Sequence, residues 1–212
     1  MSEPEFVRRT RKSYDEVAEV YAERIRDELA AKPHDRAVLG VFAELVKGPV
    51  ADVGCGPGRV AAHLDGLGVT AFGIDLAPGM IAVARRLHPR LQFEIGSMLS
   101  LPLDDGALGG IVAWYSIIHV PDPLLPDVFA EFRRVLAPGG YLQLAFQVGD
   151  EPLHLTGGPV ISLDFHRRRP DRVAKLLDEA GFTERARLVR PADEDGPYPE
   201  RTPQAFLLAR AR

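Results

Sequence analysis

The sequence predicts an α/β protein built on one mostly parallel sheet with helices on both faces. Two observations carry this prediction. From residue 50 to residue 147, short apolar runs rich in β-branched residues alternate with runs of helical spacing, a pattern typical of βαβ units. The first predicted strand also leads through a glycine-rich turn directly into a helical run. The sheet is therefore expected to start at residue 50.

Two helices are predicted ahead of the sheet. Residues 11–31 place apolar side chains mostly three or four positions apart, which indicates one amphipathic helix that ends before Pro33. A second helix is predicted from His34 to Val46, and Gly48-Pro49 would end it. Residues 1–48 are thus expected to form a helical cap.

The alternating region contains five predicted strands and three predicted helices. The strands are expected at residues 50–53, 70–76, 91–95, 111–116 and 141–146, and the helices at residues 59–64, 78–87 and 124–136. After a further helix at 170–180, two strands at 185–190 and 204–209 flank a polar turn. Such a turn allows the last two strands to pair antiparallel.

The length of the chain, 212 residues, fits a single domain comprising residues 1–212. We expect the cap at 1–48, a core at 49–147, a loop region that covers the site at 148–169, and a C-terminal helix with a strand pair at 170–212. Within the loop region, the sequence is compatible with a short extra strand at 160–165.

Composition and charge exclude several classes of protein. The formal net charge of −4 lacks the basic surplus of proteins that bind nucleic acids. One cysteine, Cys55, cannot form an internal disulfide, and no apolar run approaches the roughly 20 residues of a membrane span. These features favour a cytoplasmic protein without a metal site that acts on a small molecule, and they leave a monomer and a homodimer equally open.

The strongest local signal is ADVGCGPG at residues 51–58, between a predicted strand and a predicted helix. Glycines allow a sharp turn and close approach of a ligand, and the helix that follows presents free N–H groups. About twenty residues later Asp75 ends the next strand, where nucleotide-binding α/β folds place a carboxylate for ribose hydroxyls. Asp75 could equally cap the helix that begins near Pro78.

Four segments together resemble class I S-adenosylmethionine-dependent methyltransferases: the glycine turn, Asp75, LPLDDG at 101–106 and LAPGGY at 136–141. The resemblance implies a Rossmann-like sheet of seven strands with the last strand antiparallel, and S-adenosylmethionine as cofactor. The spacing of Gly54, Gly56 and Gly58 differs from the G-x-G-x-x-G of nicotinamide-dependent oxidoreductases. That class is the less favoured alternative, beside a non-catalytic module that only binds the cofactor.

Carried over to this sequence, the resemblance implies which residues hold the cofactor. Gly54 and Gly56 would contact its methionine part, Asp75 its ribose and Leu76 its adenine. Ser97 stands where the family usually has an aspartate, so the contact to adenine would come from Ser97 or from the backbone of Met98. The remaining cofactor residues expected on this basis are Tyr14 and Tyr21, which share one side of the first helix, together with Asp52, Trp114 and Ser116.

The acceptor is expected beside the end of the fourth strand. His119 follows this strand and has the ordinary pKa of a general base near neutral pH, although a structural role for it is equally open. Strand alternation predicts that only one of Trp114 and Tyr115 faces the site. Tyr115, His154 and His166 are predicted to contact the acceptor, and Arg167 to Arg169 would suit an acidic acceptor or a solvated face. The pattern does not distinguish O-, N- and C-methylation.

Overall fold

The computed structural model describes residues 3–155 and 163–212. Its strands are β1 (Val50–Val53), β2 (Ala71–Asp75), β3 (Phe93–Ile95), β4 (Leu108–Trp114), β5 (Leu136–Gln147), β6 (Leu153–Leu155), β7 (Leu163–Phe165), β8 (Phe182–Arg190) and β9 (Gln204–Ala211). Its helices are α1 (Glu5–Ile25), α2 (Glu28–Ala31), α3 (Pro33–Leu45), α4 (Arg59–Gly66), α5 (Pro78–Leu87), α6 (Leu125–Val135) and α7 (Pro170–Glu179).

Seven strands form the main sheet in the order β3-β2-β1-β4-β5-β9-β8. The first five are parallel, and β9 inserts antiparallel between β5 and β8. The chain runs outward from β1 to β3 and then crosses back to β4, so the strand order reverses between β1 and β4. This confirms the predicted Rossmann-like sheet and places a ligand crevice at the carboxyl ends of these two strands.

Alternating side chains of the sheet fill two apolar layers, because successive strand residues point to opposite faces. Ala51, Ile111 and Leu144 face the layer that contains α6 and α7. Their neighbours Val112 and Ala145 face the layer that contains α3 and α4. Both faces of the parallel strands are therefore covered, as parallel sheets require.

The N-terminal cap differs from the sequence prediction. One helix was expected over 11–31, whereas α1 begins at Glu5 and ends at Ile25, and a separate short α2 follows. The break lets two apolar side chains pack in different places: Ile25 lines the cavity described below, and Leu29 joins Leu39 in the apolar layer beside α3. Periodicity alone does not locate such a break, since both segments have helical spacing.

The region after β5 contains a short hairpin in which β6 pairs with β7, His154 lying opposite Asp164. The strand expected at 160–165 is thus found as Leu163–Phe165, and its first part lies outside the described residues. In the ranges that the structure describes, no helix combines the length and apolarity needed to cross a bilayer.

Gly109 in β4 provides a test of the packing between the cap and the sheet. A Cβ at this position would lie 1.7 Å from the carbonyl oxygen of Lys47. Backbone would have to move, so Gly109→Ala should lower the free energy of unfolding by about 3 kcal/mol in urea titrations. The control is Gly40→Ala in α3, where nothing lies within 4 Å. This substitution should stabilise by up to about 1 kcal/mol, and equal effects of the two would contradict the prediction.

Candidate functional site

A cavity, partly open to solvent, lies at the carboxyl ends of β1, β2 and β4 and against α1. The structure brings all the predicted cofactor residues to its lining: Tyr14, Tyr21, Asp52, Gly54, Gly56, Asp75, Leu76, Ser97, Met98, Trp114 and Ser116. Tyr115 and His119 line it as well.

The glycine turn follows β1 and packs against the end of β4. Gly54 has φ +75°, and a Cβ on it would lie 2.3 Å from the Cβ of Ser116. The Ser116 hydroxyl donates to the Val53 carbonyl at 2.7 Å, which holds the two strand ends together. Gly56 also has a positive φ, +53°, and its missing side chain leaves the backbone open to the cavity. Gly54 is therefore required by its close approach to Ser116, and the positive φ of Gly56 favours glycine.

Asp75 bonds the start of α5 and also lines the cavity, so its position is compatible with both a helix cap and a ligand contact. Its Oδ2 accepts the N–H of Gly56 at 2.7 Å, and its Oδ1 accepts the N–H of Ala77, the residue before α5, at 2.8 Å. Each oxygen keeps a second lone pair, and the residue lines the cavity. Burial raises the pKa of the carboxyl, and these hydrogen bonds oppose the rise.

Asp52 is a buried carboxyl with unused hydrogen-bonding capacity. Its Oδ2 accepts the N–H of Ala61 in the first turn of α4 at 3.1 Å, whereas its Oδ1 has no partner. Burial raises its pKa to about 7, and nearby Arg59 opposes the rise. An unpartnered buried carboxylate oxygen is costly, so a ligand that donates a hydrogen bond or carries a positive charge would be stabilised at Asp52.

The tyrosines of α1 line the side of the cavity that faces this helix. The Tyr14 and Tyr21 rings meet edge to face with centroids 5.5 Å apart, and they also pack against Met80 and its neighbours on α5. They therefore both line the site and hold α1 against α5. Burial raises the pKa of both phenols, and Asp75 adds to this effect. Both hydroxyls therefore stay protonated at neutral pH.

His119 is bonded at both ring nitrogens. Its Nδ1 lies 3.2 Å from the carbonyl oxygen of Asp164, and its Nε2 lies 2.8 Å from the Tyr14 hydroxyl. A carbonyl only accepts, so Nδ1 carries the proton, and Nε2 accepts the hydrogen bond that Tyr14 donates. Burial lowers the pKa of His119 to about 4. The ring is thus neutral at pH 7, with its basic nitrogen directed at Tyr14.

The prediction that only one of Trp114 and Tyr115 faces the site is wrong, because both line the cavity. The strand was expected to run to residue 116, but β4 ends at Trp114. Tyr115 then adopts a left-handed backbone conformation with φ +53°, so alternation does not extend to it. The two rings meet edge to face at 6.0 Å.

Two histidines predicted to contact the acceptor lie in or next to the hairpin, away from the described cavity lining. His154 and His166 do not contribute to the cavity lining within the described part of the chain. His154 bonds Asp164 at 2.5 Å, and the His166 backbone donates to the Ile118 carbonyl at 2.7 Å. Contact of either side chain with the acceptor stays a prediction.

The three consecutive arginines, Arg167 to Arg169, each bond a group of the same chain. Arg167 donates to the Glu151 carbonyl, and Arg169 forms a two-pronged pair with Asp150. Arg168 is only 1% exposed, and it bonds the Asp122 carboxylate. These contacts argue against an acidic acceptor at this segment.

Arg168 is the functional residue that sequence reasoning missed. Its guanidinium donates to the carbonyls of Ile117 and Val120, on either side of His119, and to the carbonyl of His166. It therefore clamps the turn that carries His119 to the end of β7. Three consecutive arginines indicate a solvated surface in most sequences, and only the tertiary contacts distinguish the buried one.

Comparison with known proteins agrees with this geometry. Residues 50–140 match the family model described as a methyltransferase domain. A solved S-adenosylmethionine-dependent methyltransferase from Methanosarcina mazei superposes with a TM-score of 0.72 at 18% identity, covering 81% of this chain and 96% of that one. Residues 50–140 thus match a methyltransferase domain, and the chain shares the fold of a solved S-adenosylmethionine-dependent methyltransferase.

Curated relatives of this chain are named for different kinds of methyl transfer. A 24-methylenesterol C-methyltransferase 2 from Oryza sativa is 29% identical over 194 residues, which are 81% of this chain and 47% of that protein. An O-methyltransferase from Penicillium expansum is 29% identical over 183 residues, 80% of this chain and 61% of that protein. The chain thus spans about half to three fifths of these relatives.

The clamp at Arg168 is tested by truncating its charge. Arg168→Met would remove the guanidinium donor from the buried carbonyls of Ile117 and Val120, and it would leave Asp122 paired with Arg172 alone. We therefore expect a loss of about 3 kcal/mol in the free energy of unfolding. Arg169→Met is the matched control, because this neighbour pairs with Asp150 in solvent and should leave the stability unchanged. Denaturant titrations in which both variants behave alike would show that Arg168 is not a clamp.

The neutral state of His119 predicts a pH effect. An unfolded histidine titrates near 6.5 and the folded one near 4, so between these values the unfolded state binds the extra proton and acid weakens the fold. From pH 7.5 to pH 5 this effect amounts to about 2 kcal/mol. His119→Gln lacks it, so the stability difference between wild type and variant should shrink by that amount as the pH falls. A constant difference in urea titrations would refute the prediction.

Proposed function

We propose that this chain transfers the methyl group of S-adenosylmethionine to a small-molecule acceptor. The observation that carries the proposal is that one cavity contains the glycine turn, the two carboxyls of Asp52 and Asp75, and His119. A module that only bound the cofactor would have its acceptor side filled. Here the cavity continues from Asp75 to the end of β4 and to Phe6 and Thr10 of α1, which supports transfer to a second molecule.

The residues present suit the cofactor. The unpartnered Oδ1 of Asp52 would accept from its ammonium group, and Asp75 would accept from its ribose hydroxyls. Gly54 and Gly56 would lie against its methionine part, and Leu76, Ser97 and Met98 against its adenine. When bound, S-adenosylmethionine supplies a methyl group that is already activated by its sulfonium. The protein then has mainly to orient the acceptor and exclude water.

His119 is the proposed base for an acceptor that loses a proton. Its Nε2 already accepts the Tyr14 hydroxyl proton, so a proton taken by the Tyr14 oxygen would let Tyr14 pass its own proton to His119. With a pKa of about 4 the imidazole is a weak base, but it is unprotonated and ready at neutral pH. Release of a proton also balances the positive charge that is lost when the sulfonium is consumed.

Calorimetric titration with S-adenosylhomocysteine and, separately, with NAD tests the cofactor. Wild type should bind S-adenosylhomocysteine alone, and Asp75→Ala should weaken this binding at least about tenfold, because a buried acceptor of the ribose and of Gly56 is lost. Glu44→Ala, which removes an exposed carboxylate on α3, is the control and should bind normally. Binding of NAD, or of neither ligand, would overturn the proposed function.

A further inference from the structure

The charged groups in the cavity lie at the glycine-turn end and are held by the protein. Among the described lining residues these groups are Asp52, Arg59 and Asp75. Arg59 pairs with Glu28 at 2.8 Å, and both carboxylates accept backbone N–H groups. The cation is thus already paired, and the remaining capacity of the carboxylates faces the region proposed for the cofactor.

The rest of the lining, as far as the structure describes the chain, offers an acceptor no ionic partner. From α1 it receives Phe6, Val7 and Thr10, and from the opposite side Leu99 and Val120. His119 is held neutral by burial. A charged acceptor would therefore lose its hydration without gaining a counter-charge, which is strongly unfavourable.

One polar group at this end has a defined direction of hydrogen bonding. Because Tyr14 donates its proton to His119 Nε2, and His119 Nδ1 donates to Asp164, the Tyr14 oxygen is left only to accept. It can bind a group that donates a hydrogen bond. An aliphatic amine would do so only as a neutral species, which is scarce at pH 7, whereas a hydroxyl is an uncharged donor at this pH.

We propose that the acceptor is an uncharged, predominantly apolar molecule whose reacting group is a hydroxyl, and that this hydroxyl donates to the Tyr14 oxygen. The inference rests on the proposed function and selects O-methylation among the three kinds of transfer. The acceptor oxygen would bond to the methyl carbon, the electrons of the broken carbon–sulfur bond would stay on sulfur, and the hydroxyl proton would pass to Tyr14 as Tyr14 passes its own to His119.

The test uses four matched probes titrated by fluorescence at pH 7 into protein saturated with S-adenosylhomocysteine. They are 2-naphthol, its anionic analogue 6-hydroxy-2-naphthoate, its cationic analogue 6-(aminomethyl)-2-naphthol, and 2-methoxynaphthalene, which lacks the donor. We expect 2-naphthol to bind at least about tenfold tighter than either charged probe. It should bind roughly three- to tenfold tighter than the methoxy compound, the value of one hydrogen bond.

Two variants make the test specific. Tyr14→Phe should abolish the preference for 2-naphthol over 2-methoxynaphthalene and leave the discrimination against charge intact. Thr10→Lys places a cation in the cavity wall, so it should raise the affinity for 6-hydroxy-2-naphthoate at least about fivefold. A merely structural role of Tyr14 would weaken all four probes equally.

The failure of this inference is distinguishable from that of the proposed function. Tighter binding of a charged probe, equal binding of all four, or no binding of 2-naphthol to the loaded protein would overturn the acceptor class. In each of these cases calorimetric binding of S-adenosylhomocysteine would be retained. Loss of that binding would instead overturn the proposed function.

Discussion

The carboxylate of Asp75 fixes the geometry on which the cavity depends. It sits at the end of β2 and accepts hydrogen bonds from Gly56 in the glycine turn and from Ala77 at the start of α5. One side chain therefore sets the position of the turn after β1 relative to the helix after β2. The N–H groups of Gly54 and Cys55 add to this link by donating to the Ile74 carbonyl. The turn is thus held by the neighbouring strand before any ligand arrives, which lowers the cost of ordering it on binding.

Burial determines the chemistry of the two ends of the cavity in different ways. At the glycine-turn end, burial raises the pKa of Asp52 to about 7 and leaves one of its oxygens without a partner. At the other end, burial lowers the pKa of His119 to about 4. Desolvation disfavours the charged form in both cases. The first end can regain stability by binding a cationic group, whereas the second favours an uncharged one.

The cap and the hairpin complete a site that the parallel sheet alone would leave open. Helix α1 contributes Tyr14, and β7 contributes the Asp164 carbonyl, so the two hydrogen-bond partners of His119 lie far apart in the sequence. Phe165 packs on the imidazole with ring centroids 4.8 Å apart. Arg168 donates hydrogen bonds to two carbonyls of the same turn. The orientation of His119 thus depends on α1 and on residues 164–168, which meet its turn only in the folded protein.

The sequence by itself determined the sheet, the glycine turn and the residues of the proposed cofactor half of the site, because these are encoded locally. Hydrophobic period predicts strands and helices, and the positive φ of Gly54 and Gly56 favours glycine. Only the tertiary structure decided the acceptor half. Contacts between distant segments determine three features of the structure. These are the left-handed turn at Tyr115, the break after Ile25, and the burial of Arg168 between two arginines of the same sequence pattern. Local pattern carries no record of such contacts, since the same residues would be solvated or extended in another context.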